Sequence, residues 1–196
     1  MVNTTVAVEE AWGQAAVAVL EEETFFEFGY ELSEDSNNSV VQKKPTVVVC
    51  DPEGKPLYYL FSVLRDDEII NTVKVSANKT IGRTVINIGN SFFSCDNEIH
   101  NLSKESAGSE TECFVCGTPV PEYGDRYRSM MVDAWETGNL HSKNFLNDLK
   151  DAGVDISKPI PGQDRAIVQK IFIANLEKRN QVEEEFENKY GIDWIS

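Results

Sequence analysis

The chain has 196 residues, of which 41% are hydrophobic, and a formal net charge of −15. This hydrophobic fraction excludes a wholly disordered chain, and no apolar run approaches the roughly 18 residues of a membrane helix. The length suffices for one ample core or two small ones. Because the N-terminus lacks a basic segment and soon meets Glu9 and Glu10, it is not expected to be a secretory signal. We therefore expect a cytoplasmic protein with reduced or metal-bound cysteines.

The charge is distributed unevenly along the chain. Residues 1–42 contain nine acidic residues and no Lys or Arg, whereas residues 43–104 contain seven acidic and eight basic residues. Residues 105–196 contain seventeen acidic and ten basic residues. A field of this sign repels nucleic acid phosphates and attracts basic proteins. The alternative interpretation is that the acidity only keeps the protein soluble.

The N-terminal part predicts a helix followed by a strand. Residues 5–22 favour a helix with Thr5 as its N-cap. Its apolar residues recur at helical spacing, namely Val8, Trp12, Ala15, Ala16 and Val19. Residues 24–32 then alternate with period two, which predicts a strand with one solvated face. The Glu residues of this segment are expected to form an exposed anionic face.

Four further strands are predicted in the middle of the chain. Residues 46–50 form a β-branched run that is typical of a central strand. Residues 51–54, Asp-Pro-Glu-Gly, predict a turn into a hairpin partner over residues 57–64. A second turn at Asp66-Asp67 leads to strands over residues 69–75 and 84–88. Short connections make the sheet of about five strands antiparallel.

The last third predicts three helices, over residues 128–137, 143–152 and 164–189. Gly138 is expected to end the first helix, Ser142 to cap the second and Gly153 to end it. His141 is expected in a solvent-facing loop between them. The fold class is therefore α+β, with a helix and sheet domain over residues 1–93, a zinc loop over 94–124 and an acidic helical segment over 125–196.

A half-motif for zinc is the most informative pattern. Cys113 and Cys116 are three positions apart and precede a glycine, a pattern that resembles a zinc knuckle. Zinc needs four ligands, and the nearest residues that could provide the other two are Cys95 and His100. The sequence therefore predicts a structural Zn²⁺ bound by Cys95, His100, Cys113 and Cys116. Cys50 is an alternative ligand in place of Cys95 or His100. The competing interpretation is four reduced thiols, with Cys50 and Cys95 in the core.

No nucleophile elbow, phosphate-binding loop or dinucleotide motif occurs, so we expect a non-enzymatic protein. The acidic balance favours a binding or regulatory protein whose partner is a basic, nucleic-acid-handling protein, with DNA imitation as one mode of action. A virion or assembly component is compatible with the same features.

The alternative is a small single-stranded nucleic-acid-binding protein with an OB-like sheet. Aromatic residues Tyr58, Tyr59, Phe61, Phe92 and Phe93 lie among the cations Lys55, Arg65, Lys74, Lys79 and Arg83. Aromatics with cations on a small antiparallel barrel can stack bases. The Cys/His segment is also loosely similar to the zinc loop that some phage single-strand-binding proteins carry beside their barrel. In an alternating strand, such aromatics more often belong to the core.

Overall fold

The structure is a computed structural model that describes residues 4–27, 39–51, 53–81, 85–89 and 125–191. Its elements are α1 (Val8–Glu27), β1 (Val40–Val41), β2 (Val47–Cys50), β3 (Pro56–Arg65), β4 (Glu68–Ser76), a 3₁₀ turn (Lys79–Ile81), β5 (Val85–Gly89), α2 (Asp125–Asp151) and α3 (Gly162–Tyr190). The predicted α+β class, with an N-terminal helix, a five-stranded antiparallel sheet and C-terminal helices, is confirmed.

The sheet is built around β3. β4 pairs with the whole of one side of β3, from Tyr58↔Ser76 to Arg65↔Glu68, and β5 follows beyond β4. β1 and β2 therefore both lie on the other side of β3, one after the other along its length. The prediction that residues 46–50 form a central strand is wrong, because β2 is an edge strand with Val47 and Val48 exposed. β-Branched residues suit an edge strand as well as a central one.

Both predicted hairpin turns are confirmed. The Asp51 carboxylate accepts hydrogen bonds from the backbone N–H groups of Glu53 and Lys55, and Gly54 takes a φ of +81°. Asp66 and Asp67 connect β3 to β4 with φ angles of 51° and 64°. Positive φ at both central residues is the conformation of a type I′ turn, whose twist matches that of the flanking strands.

α1 begins later and ends later than predicted. Thr5 does not cap it, because Thr5 forms a β-bridge with Asn78 and the Val6 N–H donates to the Ala77 carbonyl. The helix continues to Glu27, so the predicted strand is wrong over residues 24–27, while residues 28–32 lie outside the described part of the chain. Each residue that extends an existing helix gains one backbone hydrogen bond, whereas a strand needs a neighbouring strand to pair with.

One face of α1 packs on the sheet, which confirms the helical spacing of its apolar residues. Ala11, Ala15 and Ala16 are buried against Phe61 and the neighbouring strand residues. Their small side chains allow close approach of the helix to the sheet. The sheet side of this core consists of Val41, Tyr59, Phe61, Val63, Val73, Val75 and Ala77, and the fully buried Trp135 of α2 completes it.

The opposite face of α1 packs on α2 and α3. Val17 and Leu20 contact a second core that contains Phe145 and Leu149 of α2 and Phe172 of α3. The rings of Phe145 and Phe172 meet edge to face, with centroids 6.3 Å apart. α1 is thus a middle layer between the sheet and the helical pair, and it supplies side chains to both cores.

The C-terminal part contains a helix that is longer than predicted. α2 runs without a break through Gly138, and Ser142 lies buried inside it rather than capping a new helix. A glycine inside a helix costs about 1 kcal/mol relative to alanine, which tertiary packing of Trp135 and Phe145 can outweigh. The predicted end at Gly153 is confirmed by its φ of +82°. Among the helices in the described ranges, none is long and apolar enough to cross a membrane.

Candidate functional site

The four predicted zinc ligands, Cys95, His100, Cys113 and Cys116, lie outside the described residues, so the zinc site stays a prediction. Within residues 4–27, 39–51, 53–81, 85–89 and 125–191, no three His, Cys, Asp or Glu side chains are grouped so that they could hold a metal ion. Cys50 is exposed at the end of β2. The alternative expectation that Cys50 is a core residue is therefore wrong.

The aromatic side chains of β3 do not form a stacking surface. Tyr58, Tyr59 and Phe61 are all buried, the last of them completely. The ammonium group of Lys74 lies 4.1 Å from the centroid of the Tyr58 ring. Phe92, Phe93 and Arg83 lie outside the described residues. The three described rings of β3 therefore belong to the protein interior, where this strand is buried on both faces from Tyr58 to Val63.

The Glu residues of α1 do not form a uniformly exposed anionic face. Glu10 Oε1 accepts a hydrogen bond of 2.8 Å from Lys143, and this bond holds the pKa of Glu10 below its ordinary value. Glu21 is mostly buried and lies between α2 and α3. Two of the acidic residues of α1 therefore connect helices.

A cavity of about 580 Å³ lies where α1, α2 and α3 meet. Its polar wall includes Gln14 and Glu21 of α1, His141 of α2, and Asn175 and Arg179 of α3. Apolar side chains complete the wall, among them Val17, Ala134, Leu176 and Phe186. Leu140 and Val182, which also line the cavity, are exposed. The cavity is thus a mixed polar and apolar space in the helical half of the protein.

Glu21 joins the three helices around this cavity. Its Oε1 lies 3.2 Å from His141 Nε2, and its Oε2 accepts a hydrogen bond of 3.2 Å from Arg179. Arg179 also donates to Glu183 at 2.7 Å. Burial disfavours the charged guanidinium, but Glu183 and Glu21 outweigh this effect and raise the pKa of Arg179. The prediction that His141 is a solvent-facing loop residue is wrong, because it sits within α2 with its side chain 15% exposed.

Two buried amide side chains of the wall each have one oxygen without a hydrogen-bond partner among the described residues. Gln14 donates through Nε2 to Asn139 Oδ1 at 3.4 Å, and its Oε1 is unpartnered. Asn175 donates through Nδ2 to Asp148 Oδ2 and to the Ile171 carbonyl, and its Oδ1 is unpartnered. A buried polar group without a partner costs about 1–3 kcal/mol, so each of these oxygens requires an explanation.

Exposed carboxylates form a second feature, on the outer side of α3. Glu177, Glu184 and Glu185 are exposed, and they form no ion pair with the described residues. Glu177 and Glu184 are two turns apart and so point in nearly the same direction, about 10 Å from each other. Glu184 and Glu185 lie near the C-terminus of α3, where negative charge opposes the helix dipole.

The polar residues of the cavity wall were not predicted from the sequence, although a sequence pattern indicates the burial of two of them. Gln14 interrupts the apolar and alanine-rich stretch of α1, and Asn175 follows Val168 and Phe172 at helical spacing. A polar residue in an apolar helical stripe is buried when the stripe is buried. The positions of His141 and Glu21 had no such signal, because they depend on how α1 and α2 pack.

The fold and site together define an acidic α+β protein whose first helix separates a sheet from a helical pair, with a cavity among the helices. Comparisons with protein-family models, with curated proteins and with solved structures find no match to this chain.

Proposed function

We propose that this is a non-enzymatic binding or regulatory protein that uses its acidic surface to bind a basic protein. The observation that carries the proposal is the group of exposed carboxylates on α3, namely Glu177, Glu184 and Glu185, in a chain of net charge −15. A partner that handles nucleic acid suits this surface, because such proteins present clustered cations that bind phosphates. Imitation of DNA is one way in which the surface would act.

The ion pairs of the helical half support this proposal. Many of its cations are already engaged with carboxylates of the same chain, as in the pairs Lys143–Glu10, Lys178–Asp148, Arg179–Glu183 and Lys189–Asp133. The α3 carboxylates therefore keep their negative charge available at the surface. Since exposed charges are screened beyond about 8 Å at physiological salt, the attraction must come from direct contacts with the partner.

A structural zinc site at Cys95, His100, Cys113 and Cys116 forms part of the proposal. A zinc ion held by three thiolates and one imidazole would have its four tetrahedral positions filled by protein. Such a closed site stabilises a fold and leaves no open position for a reaction. The zinc would therefore have a structural role in a protein that acts by binding.

The proposal is tested by calorimetric titration with an arginine-rich peptide at several salt concentrations. Neutralisation of the α3 group, by Glu177→Gln with Glu184→Gln and Glu185→Gln, should weaken binding at least tenfold. The matched control removes the same charge from the β3–β4 turn, by Asp66→Asn with Asp67→Asn and Glu68→Gln, and should have a much smaller effect. An equal loss of affinity in both variants would mean that peptide binding depends only on the net charge of the protein and not on the α3 carboxylates.

The nucleic-acid-binding alternative is tested by fluorescence anisotropy with single-stranded DNA. Phosphate binding draws its affinity from clustered cations, and the eight basic residues of 43–104 are offset by seven acidic ones. We therefore expect no measurable binding near physiological salt. Saturable micromolar binding that is reduced by replacing Lys74, Lys79 and Arg83 with alanine would replace our proposal with this alternative.

A further inference from the structure

We propose that the groove between α2 and α3, where the cavity opens to solvent at Leu140 and Val182, binds an amphipathic basic helix of the protein partner. An apolar side chain of that helix would enter the groove, and a cation one helical turn away would meet Glu185. The inference rests on the proposed function and adds to it the chemistry of the partner segment. It is carried by two exposed apolar side chains that line the same cavity and by the charges around them.

Polar contacts between α2 and α3 show that these helices run antiparallel. Asp133, in the first half of α2, pairs with Lys189 near the end of α3. Asp148, near the end of α2, accepts a hydrogen bond from Asn175, which lies earlier in α3. Positions that advance along α2 therefore lie opposite positions that go back along α3.

This register places Leu140 and Val182 at the same level of the groove. Leu140 lies seven positions after Asp133, and Val182 lies seven positions before Lys189. Each is thus two helical turns, about 10 Å along the axis, from the same ion pair. The two apolar side chains belong to facing helices and both line the cavity.

Leu140 and Val182 are the exposed end of an apolar surface that continues into the protein. They are 56% and 39% exposed, whereas Phe186, one turn after Val182, lines the same cavity and is buried. Exposed apolar residues that occur singly are common on protein surfaces, but a facing pair at the opening of a cavity is not a scattered occurrence. The volume of about 580 Å³ leaves room for a large side chain, since small-molecule sites occupy roughly 300–1,000 Å³.

The charges around the groove favour a basic occupant. The cations of the cavity wall, Lys178 and Arg179, already pair with carboxylates of this chain. Glu185 is exposed and forms no ion pair with the described residues. It follows Val182 by three positions, which puts the two Cβ atoms about 5–6 Å apart. A second copy of this chain would be repelled, because each copy has a net charge of −15.

An α-helix supplies the pattern that this surface requires. Side chains three or four positions apart lie next to each other on a helix, so an apolar residue followed one turn later by Lys or Arg matches Val182 followed by Glu185. Amphipathic helices that lay their apolar face in a hydrophobic groove are a recurring mode of peptide recognition. The contact would combine a buried apolar anchor with a charged rim, as in other protein interfaces.

The test is calorimetric titration of the full chain with two arginine-rich peptides of about 18 residues, long enough to form a helix. One peptide carries leucine one turn from each arginine, and the other carries glutamine there, so length and charge are equal. We expect the leucine peptide to bind about tenfold more tightly. Equal affinities would overturn the groove but leave the proposed function intact, whereas no binding of either peptide would overturn both.

Variants locate the apolar contact. Leu140→Gln with Val182→Gln should abolish the advantage of the leucine peptide and leave the affinity for the glutamine peptide unchanged. The matched control is Ile69→Gln with Ile173→Gln, at exposed positions that do not line the cavity, and it should keep the advantage. All four positions are exposed, so the variants should fold. An advantage that survives in the first variant would contradict the proposal.

Methyl spectra of the full chain provide an independent readout. The leucine peptide should shift the methyl signals of Leu140 and Val182 in a saturable manner and leave those of Val47 and Val48, which are exposed on β2, unchanged. Shifts confined to β2 would move the contact away from the groove and overturn the assignment. A dimer in sedimentation experiments that the leucine peptide does not dissociate would make a second copy the occupant instead.

Discussion

Glu21 holds the three helices together through one carboxylate, since its two oxygens contact His141 on α2 and Arg179 on α3. The side chain of Glu21 is 18% exposed, so water competes only weakly for these contacts. Loss of the negative charge of Glu21 would leave Arg179 paired with Glu183 but no longer with Glu21. It would also leave the N–H group of His141 with a weaker hydrogen-bond acceptor. Glu21 was expected on an exposed anionic face, and it is instead part of the helical packing.

We expect Glu21→Gln to lower the free energy of unfolding by about 1–2 kcal/mol, because hydrogen bonds to a charged and mostly buried group are stronger than neutral ones. Urea denaturation followed by tryptophan fluorescence measures the change. Glu22→Gln is the matched control at the next position and should change stability by less than about 0.5 kcal/mol. Equal effects of the two substitutions would show that Glu21 does not connect the helices.

The stability of the protein should fall in acid, and part of the fall should come from Glu10. Its pKa is lowered in the folded state, first by the hydrogen bond from Lys143, so the unfolded chain binds more protons between the folded and unfolded pKa values. The contribution of Glu10 is therefore present above its ordinary pKa of 4.5 and is lost as pH falls through the folded pKa.

Lys143→Met should flatten the pH dependence of stability below the ordinary pKa of Glu10, 4.5, because the hydrogen bond that lowers the pKa of Glu10 in the folded state is lost. The effect should be below about 1 kcal/mol because the Lys143 side chain is half exposed. Urea midpoints measured across this range provide the readout, and Lys150→Met at an exposed position of α2 is the control. An unchanged slope in Lys143→Met would mean that the Glu10 pair does not form in solution.

Individual side chains show where prediction from sequence stopped. The burial of Tyr59 and Phe61 followed from their spacing along the strand. The exposure of Cys50 did not follow from the sequence, because it depends on β2 being an edge strand of the sheet. The contact of Glu21 with Arg179 joins residues 158 positions apart, so no local pattern could indicate it.

At the scale of the elements, a substitution in the turn between β3 and β4 should stabilise the protein. Asp67 has a φ of 64°, a conformation that glycine adopts without the steric cost borne by other residues. We expect Asp67→Gly to raise the free energy of unfolding by about 0.5–1 kcal/mol. Thermal denaturation measures the change.

Gly54→Ala is the converse substitution, in the turn between β2 and β3. Its φ is +81°, and no atom lies within 4 Å of an added Cβ. It should lower stability by about 1 kcal/mol through backbone strain alone. A destabilised Asp67→Gly protein would show that the aspartate makes interactions worth more than the strain of its backbone.

Elements were predictable where the pattern was local. The hairpin turns followed from the residue types that allow tight reversal, and the core face of α1 followed from its apolar spacing. The continuity of α2 through Gly138 was not predictable, because its packing against α3 and the 3₁₀ turn overrides the local signal of the glycine. The start of α1 was not predictable either, because Thr5 pairs with Asn78 in a β-bridge. The pairing of β1 and β2 along the same side of β3 is likewise a property of the assembled sheet.

At the scale of the whole molecule, the zinc prediction has a direct test. The purified protein should contain about one zinc ion per chain by mass spectrometry of its metals, as four ligands at this spacing predict. Cys113→Ser should lose the ion and lower the melting temperature, since binding of a structural metal contributes to folding.

Cys50→Ser is the matched control for this test, because Cys50 is an exposed thiol at the end of β2. It should leave the zinc content unchanged. Loss of zinc in Cys50→Ser would place Cys50 among the ligands. Zinc-free protein of full stability after gentle purification would contradict the metal site altogether.

The position of α1 between two cores has a consequence for biosynthesis. Gln14 and Asn139 contact each other across 125 positions, so the helical side of α1 stays uncovered until α2 and α3 have been translated. At the usual pace of about 5–20 residues per second, this interval is on the order of ten seconds. We expect the nascent chain to expose Val17 and Leu20 during that time and to engage chaperones that protect apolar helix faces until synthesis of α3 is complete.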